Sequence, residues 1–128
     1  MENKLLLDAN AILRYATDDI HDQYLKVKEA VEDRDCYLIL PVVQEAVYLL
    51  EKYYNVSRDI IREFFIELKD AVGIEDEDVY LKAFDHFIET PKLDYVDCVL
   101  CSYHEARKMD VMTFDKKLKG KIEKKSQK

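Results

Sequence analysis

A chain of 128 residues with 48% hydrophobic residues and only two Gly and two Pro has the apolar content for one core. Its composition excludes the collagen-like, linker-rich and disordered classes. Charge is unevenly spread over the net −7: seven Lys against one Glu put +6 on residues 116–128, which leaves −13 on residues 1–115.

The chain opens Met1-Glu2-Asn3-Lys4 and then has only three leucines before Asp8, too little for a signal peptide. No later apolar run reaches the ~20 residues of a membrane span. A soluble, cytoplasmic protein without membrane contact is expected. An acidic body does not attract nucleic acid unaided, so phosphates would be met through cations in a cleft, the basic end, or a second subunit.

Lys4 to Asp8 reads as a strand covered on both faces, because its apolar run is continuous. Asn10 to Ala16 predicts a short helix. Ile20 to Asp33 predicts a longer one, with Tyr24, Val27, Ala30 and Val31 on one face. Cys36 to Leu40 is a second strand. Pro41 suits the first turn of the helix that follows, in which Val42, Ala46, Leu49, Leu50 and Tyr53 recur at helical intervals. Ser57 is a candidate cap for a helix running to Leu68. Ala71 to Glu75 predicts a short strand, and the acids Glu75 to Asp78 favour the start of a helix with Val79, Ala83, Phe87 and Ile88 inward, ending at Thr90-Pro91. Asp94 caps a helix to Lys108 with Val96, Val99, Leu100 and Tyr103 as its stripe. Cys98 and Cys101 lie in it with no second Cys pair or His cluster to complete a zinc site, so packed, reduced thiols are expected. Asp110 to Phe114 predicts a last strand.

Strands alternating with helices predict an α/β fold: a three-layer α/β/α sandwich around a central, mostly parallel sheet. Residues 1–118 are read as one domain and residues 119–128 as a Lys-rich, solvated tail. The aromatic residues Tyr48, Tyr53, Tyr54, Phe64 and Phe65 are read as core before any surface role.

Four acids fall where a strand ends or a helix begins: Asp8, Glu45, Asp97 and Asp115. In an open α/β sheet such ends share one edge, where ligands bind. Each has an ordinary explanation too. Asp8 could start a turn, Asp115 could cap a helix, and Asp97 could be a first-turn acid behind the cap Asp94. Glu45 is expected on the buried stripe of its helix, where a bare carboxylate demands a partner. Together they suggest a carboxylate-only metal site. Hard oxygen donors without His or Cys favour Mg²⁺ or Mn²⁺, ions suited to phosphodiester hydrolysis by activated water.

The stretches LLLDANAILRYATDD, PVVQEAVYLLEKYY and LDYVDCVLCSYHEARKMDVMTFDKKL resemble the PIN-domain family, especially its VapC-like toxin branch, across nearly the whole chain. The resemblance implies that Asp8, Glu45, Asp97 and Asp115 are the four acids of the metal site and catalysis. It implies that Asn10 and Thr113 line that site, while the place of Asp94 three residues before Asp97 gives it to capping or to supporting that ligand. It further implies a Mg²⁺- or Mn²⁺-dependent endoribonuclease that forms a homodimer, is held inactive by a cognate antitoxin, and cuts tRNA or ribosomal RNA. Ala9 departs from the Thr frequent in the family. Arg14, Lys116 and Lys117 are candidates for RNA phosphate contacts. Two other readings stand beside this one: a PIN-like binding module without catalysis, and a haloacid-dehalogenase-type phosphatase using Asp8. The phosphatase is weakened by Asn10, which occupies the position of that family's general acid and cannot exchange protons near neutral pH.

Overall fold

The computed structural model describes residues 3–126, so the parts of the readings above that touch Met1, Glu2, Gln127 and Lys128 lie outside the described residues. Two compact units divide the chain, Met1–Glu75 and Asp76–Lys128.

The first unit is built of parallel strands with helical crossovers. Strand β1 (Leu5–Leu6) leads to helices α1 (Ala9–Thr17) and α2 (His21–Asp33), then β2 (Cys36–Leu38), helices α3 (Leu40–Lys52) and α4 (Arg58–Leu68), and β3 (Gly73–Ile74). The strand order is β1-β2-β3, with Leu5 opposite Cys36, Tyr37 opposite Gly73 and Leu38 opposite Ile74. Parallel pairing is what helical crossovers enforce, since a tight turn can only return the chain antiparallel. The expected α/β class is therefore observed. Gly73 has a packing reason to be glycine: a Cβ there would sit 2.9 Å from Tyr37 Cδ1 on the neighbouring strand.

Two patterns in this unit differ from expectation. Leu6 is 61% exposed, so β1 is not covered on both faces, although Leu7 is buried. In α3 the buried face is Leu40, Val43, Ala46, Val47 and Leu50, rotated from the predicted stripe. The periodicity admits either face, and packing against the rest of the unit selects the one through Val43 and Val47. Tyr48 and Tyr53, expected in the core, project outward, while Phe65 is buried as expected. Helix α2 keeps its predicted side, with Val31 buried and Tyr24, Val27 and Ala30 half-buried.

The second unit is helical: α5 (Glu77–Glu89), α6 (Tyr95–Arg107) and α7 (Lys116–Ser126). Helix α5 buries Val79, Tyr80, Ala83, Phe84 and Phe87. Helix α6 answers with Tyr95, Cys98, Cys101 and Ser102, not with the predicted valines and leucine. Small side chains at 98, 101 and 102 admit the aromatic residues of α5. The Tyr95 ring packs 4.8 Å from Phe84 and 5.9 Å from Phe87. All three cysteines are free and buried, as expected. His86 Nε2 lies 2.7 Å from Glu105 Oε1, and Arg107 pairs with both Asp76 and Asp78, tying the end of α6 to the start of α5.

Asp110 to Phe114 forms no strand. These residues have no regular secondary structure and take part in no ladder among the described residues, with Met112 92% and Phe114 96% exposed. An apolar run acquires strand structure only where a neighbouring strand accepts its backbone groups. The segment expected as a frayed tail is instead helical from Lys116 to Ser126. Leu118 is buried, and Lys121 Nζ reaches Glu89 Oε2 at 3.3 Å to dock α7 on α5.

Candidate active site

Asp8 follows β1 and occupies the N-cap of α1. Its Oδ1 accepts the Ala11 N–H at 2.8 Å. Its other oxygen accepts no hydrogen bond among the described residues. Asn10 is exposed in the first turn of the same helix. Arg14, one turn on, is already engaged: its guanidinium lies 3.2 Å from Asp19 Oδ1 and donates to Gln23 Oε1 at 2.9 Å. Contact with a phosphate would compete with those bonds.

Glu45 corrects the expectation of a buried carboxylate. It is exposed on α3, because the inner face runs through Val43, Ala46 and Val47. Its carboxylate makes no hydrogen bond or ion pair among the described residues, so the argument from costly burial does not apply to it. The edge where the strands end holds one further acid that the chain-order reading passed over. Glu75 follows β3, and its Oε1 accepts the Leu40 N–H at 2.9 Å. It thereby caps α3 from another element, since Ile39 at the cap position has no acceptor to offer. The signal was present in the sequence: an acid directly after an apolar strand, as with Asp8.

In the second unit, Asp94, Asp97 and Asp115 are close enough to act on one another electrically. Asp94 caps α6, its Oδ1 accepting the Asp97 N–H at 3.0 Å. Asp115 caps α7, its Oδ1 accepting from Lys117 and Leu118 at 2.8 and 3.1 Å, while Thr113 Oγ1 accepts the Asp115 N–H at 3.0 Å. Asp97 stands half-buried between these charges. Its carboxyl is pushed up to about 6, first by burial, then by Asp94 and, more weakly, Asp115. The helix dipole at the start of α6 favours the anion by ~0.3–1 kcal/mol, and the displacement persists against it. Lys116 and Lys117 are exposed in the first turn of α7.

Capping therefore explains Asp8, Asp94 and Asp115 in part, and it uses one oxygen of each. The second oxygens of Asp8 and Asp115, with Asp97, are hard anionic donors of the kind that hold Mg²⁺ or Mn²⁺, while the Asp94 side chain also hydrogen-bonds that of Asp97. Burial first, and then repulsion from Asp94 and Asp115, raise Asp97, and a cation beside it would offset both, so the donor chemistry in this unit fits a divalent ion. Among the described residues, no three His, Cys, Asp or Glu side chains already converge as a closed ligand group.

A profile of the PIN domain matches residues 5–123, and the chain belongs to the PIN-domain family, whose members are generally nucleases and typically use divalent metal ions. No curated protein and no solved structure matches it. Among the described residues, no helix is long and apolar enough to cross a membrane.

Proposed function

We propose that this chain is a Mg²⁺- or Mn²⁺-dependent endoribonuclease of the VapC-like branch, the toxin of a toxin–antitoxin pair. The observation that carries the catalytic part is Asp97, raised to about 6 by burial and by Asp94 and Asp115, within a family of nucleases. The toxin role, a homodimer, an antitoxin partner, a cytoplasmic setting and a tRNA or ribosomal RNA substrate rest on the resemblance of the motifs around Asp8, Glu45 and Asp97.

In this proposal Asp8, Asp97 and Asp115 are the metal ligands, with Glu45 binding directly or through water. A bound divalent cation supplies an activated water and neutralises charge on the scissile phosphate. The protein's own contribution is to hold acids in fixed positions. The caps at Asp8 and Asp115 each lock a side-chain torsion with a backbone hydrogen bond, so the second oxygen is held in place before any ligand arrives. Asp97 has to be ionised to act, which near neutral pH it is, and Asp94 orients it through the Asp97 N–H. Thr113 fixes the backbone leading into Asp115, and Asn10 lies within the first turn behind Asp8.

The test is incubation of the purified protein with total cellular RNA, with and without Mg²⁺ or Mn²⁺, followed by mapping of new 5′ ends. Discrete cuts that require metal are expected, and their positions name the substrate. A folded protein that makes no cut with either ion would transfer the assignment to a binding module.

A further inference from the structure

The outer face of α7 is strongly basic and has no use inside the protein. Lys116, Lys117, Lys119 and Lys124 are exposed, and none forms an ion pair among the described residues. The residues that dock the helix, Leu118, Lys121 and Ile122, lie on the opposite side. At 3.6 residues per turn the four lysines occupy an arc of roughly 160° along about 12 Å of helix. Glu123 is the one acid on that arc.

Gly120 lies in the middle of the same arc. Glycine in a helix interior costs about 1 kcal/mol relative to alanine. Neither of the usual reasons for it applies here. Its φ is not positive, and a Cβ would meet nothing within 4 Å. The missing side chain therefore leaves bare helix backbone open to solvent between lysines, a place for close approach by something outside the chain. The helix also begins at Asp115, whose carboxylate caps it, so the basic face starts beside the acids proposed for catalysis.

We infer that the Lys116, Lys117, Lys119 and Lys124 face of α7, with Gly120 at its centre, is the track for the RNA backbone flanking the cut. This rests on the ribonuclease reading above. Lysines supply sequence-independent attraction that the acidic remainder of the chain lacks, and one strand of a duplex carries one phosphate per ~3.4 Å of axial rise, so more than one phosphate can lie along the helix. Gly120 lets the sugar-phosphate chain approach the helix closely.

The experiment measures binding of the full chain to a fluorescein-labelled RNA hairpin by anisotropy in EDTA, where hydrolysis does not compete, over a salt series. For the variant K116Q/K117Q/K119Q/K124Q, the slope of log affinity on log salt should flatten by roughly 2–3 units, at about 0.7 per phosphate contact, with affinity down about tenfold or more. Gly120→Leu should raise the helix content or thermal stability and yet weaken binding, opposite signs that a purely structural glycine would not give. Affinity and slope unchanged in both variants would overturn the inference. So would loss of self-association on sedimentation with RNA binding intact, which would assign the face to a second copy. The two proposals fail separately: metal-dependent cleavage with unaltered binding by the variants removes only the track, and the predicted binding losses without any cleavage remove only the catalysis.

Discussion

Asp97→Asn is expected to stabilise the metal-free protein at neutral pH and at the same time to abolish metal-dependent RNA cleavage. The sign follows from the raised carboxyl. Unfolded, an aspartate titrates near its ordinary value of 3.8; folded, Asp97 titrates at about 6. Between those values the folded state holds a proton that the unfolded state has lost, so stability falls as pH rises through that window. Its contribution is fully present below the lower value and gone above the upper one. Two pH units correspond to ~3 kcal/mol at full weight, but the side chain is partly exposed and solvent screens it, which leaves about 1 kcal/mol. Asparagine keeps the shape, carries no charge, and can donate to the Asp94 carboxylate. Urea melts in EDTA should therefore show the variant more stable at pH 8 and level with the parent near pH 4. A variant less stable than the parent at pH 8 would remove the electrostatic account of this cluster. The activity loss, read with Mn²⁺ at pH 8, separates charge from shape, because the fold is improved while the chemistry is lost.

The second large effect is at Asp8. Asp8→Asn is expected to lower cleavage by at least about 100-fold, since even residues that merely support a metal ligand cost 10–100-fold when changed. Stability should barely move: asparagine accepts the Ala11 N–H as aspartate does and is an equally good cap. Asp8→Ala loses the cap as well and should cost about 1 kcal/mol in a melt. The pair of variants separates the two roles of the residue. Full activity in purified Asp8→Asn would take Asp8 out of the site, whatever its value to α1.

Much of this arrangement was readable before any coordinates. Helices α1 to α6 each sit in a region of 3.6 periodicity, and β2 and β3 coincide with apolar runs between them. Boundaries were clear where a cap residue marks them, as at Asp8 and Asp94. The inward face was less clear where two faces compete. In α3 both Val42 with Leu49 and Val43 with Leu50 satisfy the spacing, and only packing decides, so Glu45 was placed inside when it lies outside. In α6 the buried positions carry Cys and Ser, which score weakly as apolar, and they are inside because the rings of α5 need room. The strand expected at Asp110 to Phe114 depended on a ladder partner, which no local pattern specifies. The lysines at the chain end favour a solvated tail, whereas α7 is docked by Leu118, its one buried apolar side chain among the described residues, with the half-buried Lys121 and Ile122, a short stripe that periodicity alone does not weigh.

Among the acids, the sequence posed each as either a cap or a ligand. The structure shows the capping role, with Asp8, Asp94 and Asp115 each accepting backbone N–H groups through Oδ1, and a cap of that kind engages one oxygen and does not exclude a ligand at the other. In the sequence Glu75 reads as the first of the acids leading into α5, and its service to α3, 35 residues away, has no local signal.

That division of labour between two oxygens of one carboxylate has an evolutionary reading. In the toxin reading proposed above, exchange of oxygen for an amide nitrogen at position 8 or 115 would silence the chemistry and leave a folded, capped chain, whereas alanine there would also cost the cap. Variants selected for escape from that activity would then be rich in asparagine at these two codons.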